Sequence, residues 1–164
     1  MRYDELEAAI RELVVAADEN ALRVFGLETV SRLVRSELLD SAVDDELDED
    51  AWAALAAARE TVQTATAAEL RAQLERIDAG VLADGDLDQG ILIVLTALEH
   101  WTTYLEEGQR GEIYELAIRS VEEVDIQVSA DLDDVLATPE MAAEYARIRH
   151  LLTAGLRSPS PAGT

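Results

Sequence analysis

The sequence of 164 residues contains no cysteine and no lysine, and no apolar run in it approaches the roughly 20 residues that a membrane-spanning helix needs. Without cysteine, disulfide bonds, thiolate catalysis and cysteine-ligated metals are excluded. All thirteen basic residues are arginine, which together with abundant alanine is typical of a GC-rich bacterial genome. The first residues lack the apolar core of a signal peptide, so we expect a bacterial protein of the cytoplasm.

Positive charge is scarce as well. The chain has 13 basic against 35 acidic residues, a net charge of −22 and a pI near 4.2. Phosphate groups would repel such a protein, so we expect it to bind neither nucleic acid nor an anionic membrane. The same charge would attract a basic protein partner, or it would serve only to keep the protein soluble. The composition leaves both interpretations open.

Apolar residues make up 49% of the chain and recur at helical spacing along almost all of it. These stripes predict an all-α protein, a compact bundle of about seven helices in a single domain over residues 1–155. Residues 156–164 are expected to form a disordered C-terminal tail. The segment ILIVLTAL, from Ile91, is apolar on every face, which predicts a central buried helix at about residues 88–107.

Individual residues indicate where helices begin, end or cross. Thr66 and Glu69 have the spacing of a capping box at a helix N-terminus. Gly80 is expected to end that helix as a C′ glycine. Gly26, within the second apolar stripe, indicates a close crossing with another helix.

Acidic residues are concentrated between residues 40 and 50. They are Asp40, Asp44, Asp45, Glu46, Asp48, Glu49 and Asp50. Asp48 or Asp50 is expected to begin a helix, and the neighbouring acids would favour the positive end of its dipole. The stretch is therefore either a solvated linker between two helices or a candidate interaction surface for a basic partner.

Neither this stretch nor a second acidic segment has the ligands of a dedicated calcium loop. The segment DGDLDQGI has acids at positions one, three and five, starting from Asp84. However, Gln89 stands at position six instead of glycine, and Leu95 at position twelve instead of glutamate. The stretch of residues 40–50 fails the same two tests. We predict no metal site and no cofactor, and expect Asp86 or Asp88 to cap the following helix.

The two histidines, His100 and His150, lack the Glu-x-x-His spacing of di-iron helical bundles. His100 lies beside Trp101 and Tyr104 on the predicted central helix. We expect these three residues to form a cluster between helices, and they are also the candidate lining of an internal ligand pocket.

The sequence has no nucleophile elbow, phosphate-binding glycine loop or dinucleotide-binding motif. Ser120 lies within an apolar stripe, where its hydroxyl is expected to bond a backbone carbonyl one turn back. No catalytic residue is predicted, and the sequence favours a non-catalytic protein.

As a whole, the chain resembles the bacterial family of domain of unknown function 416. The resemblance rests on the segments ALRVFGLETVSRLV, DEDAWAALAAA, AIRSVEEVDIQVSAD and TPEMAAEYARIRHLL, and it covers roughly residues 20–152. It implies a compact helical domain in a bacterial cytoplasm. It implies no active-site residue.

These observations favour a small acidic helical protein that acts through protein–protein contact. An immunity protein or antitoxin whose acidic surface masks a basic partner is one concrete form of this hypothesis. The alternative is a ligand-binding or enzymatic bundle with a pocket near His100, Trp101 and Tyr104. The sequence does not indicate the oligomeric state.

Overall fold

The computed structural model describes residues 1–40, 45–82 and 85–157. For residues 156 and 157 it describes the backbone only. Its described residues form nine α-helices and one 3-10 turn, and seven of the helices have 13 or more residues. The helices are α1 (Tyr3–Ala16), α2 (Glu19–Leu33), α3 (Glu37–Asp40), α4 (Glu49–Thr61), α5 (Ala67–Ala79), α6 (Gln89–Glu107), α7 (Arg110–Val128), α8 (Pro139–Leu152) and α9 (Ala154–Arg157). The predicted all-α bundle of about seven helices is confirmed.

Side-chain caps fix several helix starts at the predicted residues. Asp48 accepts the Ala51 amide at the start of α4, and Asp88 caps α6. Thr66 and Glu69 form the expected reciprocal pair of hydrogen bonds, 3.0 and 3.2 Å long. Such caps replace hydrogen bonds that the first turn of a helix cannot make internally, so the short polar residues between apolar stripes determine where these helices begin.

The centre of the bundle is the antiparallel pair α6 and α7. Helix α6 packs against α2, α3, α5 and α7, and helix α7 packs against α1, α2, α6 and α8. The expectation that α6 is buried on every face is wrong for one stripe, because Leu92 is 46% exposed and Leu95 and Thr96 are only partly buried. None of the described helices buries this stripe fully, so α6 presents apolar side chains at the surface beside α5.

Two glycines allow close packing. A Cβ atom at Gly26 would lie 2.5 Å from Cζ3 of Trp101 and 2.8 Å from Cδ1 of Ile113, which confirms the predicted helix crossing. Gly80 ends α5 as expected, but its φ of −102° is not left-handed. Space explains this glycine instead, since a Cβ atom there would lie 2.4 Å from Oδ1 of Asp48.

One short backbone pairing joins the segment before α4 to the segment after α5. Leu47 and Val81 form an isolated antiparallel bridge. The Asp48 amide donates to the Gly80 carbonyl, and the Leu82 amide donates to the Glu46 carbonyl, both over 2.8 Å. Leu47 is buried, so this pairing anchors an apolar side chain within the acidic stretch.

The C-terminal boundary differs slightly from the prediction. Helix α9 runs to Arg157, so the helical part extends two residues beyond the predicted end of the domain. The rest of the predicted tail, residues 158–164, lies outside the described residues. Among the described helices, none combines the length and apolarity that crossing a membrane requires.

Candidate functional site

The predicted interaction surface is partly folded into the bundle. Asp40 is the exposed last residue of α3, and Asp44 lies outside the described residues. The backbone amide of Asp88 donates to both carboxylate oxygens of Glu46, over 3.0 and 2.9 Å. Asp48 caps α4, as described above. These two acids therefore hold the chain before α4 and before α6, which a freely solvated linker would not do.

The other acids of this segment face solvent. Asp50 pairs with Arg76 of α5, with Oδ1 and Nη2 2.6 Å apart, and the hydrogen bond from that arginine lowers the pKa of Asp50. Asp45 and Glu49 are exposed and take part in no ion pair that the structure describes. Two uncompensated carboxylates thus lie at the N-terminal end of α4.

An open groove of about 390 Å³ lies between α5 and α6. Leu95, Thr96 and Glu99 of α6 form one wall. We call it the α5–α6 groove; it is lined by Arg71, Leu74, Glu75, Ile77, Asp78, Val81, Leu87, Leu95, Thr96 and Glu99. Its floor is aliphatic and its rim carries carboxylates.

Arg71, the one cation among the described residues that line this groove, is neutralised within the protein. Its Nη1 lies 2.8 Å from Glu99, and its Nη2 lies 2.6 Å from Glu106. The hydrogen bond between Arg71 and Glu106 raises the pKa of Arg71 and lowers the pKa of Glu106. The rim acids Glu75 and Asp78 are exposed and take part in no ion pair that the structure describes, so the groove is electrostatically negative.

The groove and the acidic segment form one continuous surface. Val81 lines the groove and pairs with Leu47 of the segment through the backbone bridge. We call this surface the acidic face and define it by the α5–α6 groove together with Asp45, Glu49, Glu75 and Asp78. It combines an apolar hollow with unpaired carboxylates, as an interface for a basic amphipathic segment requires.

The second set of predicted residues, His100, Trp101 and Tyr104, does not line one pocket. Nδ1 of His100 lies 2.7 Å from a carboxylate oxygen of Glu112 on α7. Trp101 and Tyr104 stack, with ring centroids 5.7 Å apart, and the Tyr104 hydroxyl donates to Glu19 over 3.4 Å. Burial raises the pKa of Tyr104. Trp101 and Tyr104 thus pack together towards α2, while His100 faces α7.

Trp101 lines a surface hollow, with Asn20 and Arg23 of α2 among its other lining residues. The side chain is 4% exposed, and its Nε1 atom has no hydrogen-bond partner in the described part of the chain. A ligand pocket near these residues stays a prediction.

Sequence reasoning missed a buried ionic network between α2, α7 and α8. Arg32 lies between two carboxylates, 2.8 Å from Glu123 and 3.2 Å from Glu144. The two glutamates are only 4% and 7% exposed. Ser36 also donates to Glu123, over 2.9 Å, and Arg147 donates to Glu144, over 2.7 Å. This network borders an open cleft that Arg35 also lines.

Charge compensation explains the ionisation of the network. Burial alone would raise the pKa of Glu144, but hydrogen bonds from Arg147 and the charge of Arg32 outweigh burial and leave this pKa below its usual value. A sequence signal existed, because Glu144 lies between Met141 and Ile148 at apolar helical spacing.

Comparisons of the chain with models of protein families, with curated proteins and with solved structures find no match. The resemblance to the family of domain of unknown function 416 therefore stays an expectation. The described residues include no group of three or more side chains arranged to hold a metal ion. The function has to be argued from the surfaces themselves.

Proposed function

We propose that this protein binds a basic protein partner through the acidic face, without catalysing a reaction. The partner would place an amphipathic segment in the α5–α6 groove, with apolar side chains on the aliphatic floor and arginine or lysine side chains at the rim. An immunity or antitoxin role in a bacterial cytoplasm is one form of this proposal, and membership of the family of domain of unknown function 416 is compatible with it.

The observation that carries the proposal is the pairing state of the charges. Nine arginines donate to partners within the protein: Arg2, Arg11, Arg32, Arg59, Arg71, Arg76, Arg110, Arg119 and Arg147. Among the carboxylates that the structure describes, by contrast, most take part in no ion pair. The charge offered to an approaching molecule is therefore strongly negative, and at the acidic face it surrounds an apolar hollow.

The proposal is tested with a synthetic helical peptide that carries arginine on one face and leucine on the other, labelled with a fluorophore. Fluorescence anisotropy gives its Kd for the wild type and for the double variant Glu75→Gln/Asp78→Asn. Exposed ion pairs are worth about 0.2–1 kcal/mol each, so we expect the Kd to rise roughly two- to thirtyfold. Added salt should weaken binding to the wild type more than binding to the variant.

The matched control is the double variant Glu12→Gln/Asp133→Asn, which removes the same charges at exposed positions of α1 and of the loop before α8. We expect it to bind the peptide as the wild type does. Leu95→Asn, which places an amide among the apolar lining residues of the groove, should also weaken binding. Equal losses in the two double variants would show that the peptide senses only net charge, and would overturn the proposal.

A further inference from the structure

Buried donors without partners are concentrated at one place on the surface. Four buried side-chain polar atoms have no hydrogen-bond partner in the described part of the chain: Ser31 Oγ, Arg32 Nε, Trp101 Nε1 and Arg119 Nε. The first three belong to residues that line two adjoining hollows beside α2. A buried donor without a partner is costly, so such a cluster needs an explanation.

The two hollows have volumes of about 300 and 490 Å³ and share Leu27 and Gln63, so they form one groove. We call it the α2 groove. Its lining is Asn20, Arg23, Val24, Leu27, Glu28, Ser31 and Arg32 from α2, Val62, Gln63, Thr64 and Ala65 from the end of α4 and the turn after it, Trp101 and Leu105 from α6, and Arg147 from α8. It lies apart from the acidic face and shares no lining residue with the α5–α6 groove.

The charge of the α2 groove differs from that of the rest of the surface. Arg23 is the only charged residue that lines the first hollow, and it is exposed without a described ion pair or hydrogen bond. The second hollow adds Arg32, Arg147 and one acid, Glu28. The two arginines form ion pairs with Glu123 and Glu144, which do not line this hollow. In a chain of net charge −22, a hollow with an unpaired arginine and no acid of its own is exceptional.

The unpartnered groups also define the chemistry of an occupant. An indole N–H and a guanidinium Nε–H only donate, and a serine hydroxyl can donate. Trp101 and Ser31 are 4% and 8% exposed, so bulk solvent does not satisfy them. Gly26 packs against the Cε3–Cζ3 edge of the indole, which leaves Nε1 on the opposite side of the ring. A molecule that satisfies these donors must carry acceptor oxygens.

We propose that the α2 groove is a binding site for a small organic anion that has an acceptor-rich head and an apolar body. The head, a carboxylate or sulfonate, pairs with Arg23 and accepts from the indole N–H of Trp101, which lines the same hollow. The body packs on the aliphatic wall formed by Val24, Leu27 and Leu105. The combination of a few convergent polar groups with an apolar wall is the usual composition of a ligand site.

The test uses anilinonaphthalene sulfonate and decanoate as probes. In a Trp52→Phe background Trp101 is the only tryptophan, so energy transfer from Trp101 shows that the dye is bound to the bundle. The variants below assign the bound dye to the α2 groove. We expect saturable binding of one dye molecule per chain and its displacement by decanoate. Inorganic phosphate, which lacks an apolar body, should not displace the dye at the same concentration.

Arg23→Gln should weaken binding roughly tenfold, because it removes a charge-assisted hydrogen bond. The matched control is Arg149→Gln, which removes the charge of an exposed arginine on α8 and should change the Kd less than about twofold.

Two results would overturn the proposal. One is the absence of saturable binding of either probe, in which case ordered water alone satisfies the donors. The other is an equal loss of affinity in Arg23→Gln and Arg149→Gln. Because the acidic face is not involved, either result leaves the proposed binding of a basic partner untouched.

Discussion

The Arg32→Met substitution removes the cation that lies between two buried carboxylates. Methionine retains a long apolar side chain, so the packing of the arginine stem on α7 and α8 is largely replaced. Glu144 keeps Arg147 as a partner, but Glu123 keeps only the neutral donors Ser36 and Gln127. The variant therefore buries a carboxylate without a compensating charge.

The expected destabilisation follows from this geometry. Removing one partner of a buried ion pair costs about 3–5 kcal/mol, because the other charge stays buried. The Arg32 side chain is 35% exposed, so water reaches the cation, and we reduce the expected loss of unfolding free energy to about 2–4 kcal/mol. For a chain of this length that corresponds to a drop in Tm of about 4–16 °C.

The deficit should depend on pH. In the wild type the pKa of Glu144 is lowered, so its contribution to stability is present above the pKa of the unfolded state and is lost as the pH falls through the folded-state value. Without Arg32, the pKa of Glu144 rises, and the folded variant takes up a proton at a less acidic pH than the wild type does. The difference in unfolding free energy between wild type and variant therefore shrinks as the pH falls.

Urea unfolding followed by circular dichroism at about pH 7.5 and about pH 5.5 measures this difference while the protein stays above its pI. Arg149→Met, at an exposed position of α8, should change the unfolding free energy by less than about 0.5 kcal/mol. A loss below about 1 kcal/mol for Arg32→Met, or a loss that does not shrink at the lower pH, would refute the assigned role of the cation.

Three further predictions concern other parts of the fold. Gly26→Ala should lower the free energy of unfolding by about 1–2 kcal/mol, since the overlap of the new Cβ atom with Trp101 outweighs the gain in helix propensity. Chemical denaturation measures this free energy, and a stabilised variant would contradict the packing argument. Glu46→Ala should lower the free energy of unfolding by about 1 kcal/mol because the Asp88 amide loses its acceptor. Neutralising an acid that is only solvated would leave this free energy unchanged. Burial and nearby carboxylates raise the pKa of Tyr3 to about 12. The free energy of unfolding should therefore fall as the pH rises from about 10 towards that value. An ultraviolet titration of Tyr3→Phe should lack the last step of tyrosinate formation that the wild type shows.

Local signals in the sequence were sufficient for most of the fold. Apolar spacing identifies the long helices, and the pairing of Thr66 with Glu69 depends only on residues within one turn. The hydrogen bond from Ser120 to the Ala117 carbonyl, 2.8 Å long, is also local and confirms the expectation for that hydroxyl. Each of these features is determined by residues close together in the chain, so one sequence reveals them.

The candidate sites were harder to predict because they depend on distant partners. Arg32 meets Glu123 and Glu144 across 91 and 112 positions, and charged residues are ordinarily assigned to the surface. The acidic stretch was misleading for a related reason. Leu47, an apolar residue between acids, was the one sign that the segment packs against the bundle, and its partner Val81 lies in a different connection.

The bridge between Leu47 and Val81 has a consequence for how the molecule opens. Helix α4 packs chiefly on α5, and the turn of residues 62–66 joins them at one end while the bridge fastens them at the other. A helical hairpin held at both ends resists fraying from either terminus, so its amide hydrogens exchange with solvent in a single concerted event. The acidic face is built from this hairpin and from α6, so its shape depends on the pairing at that end.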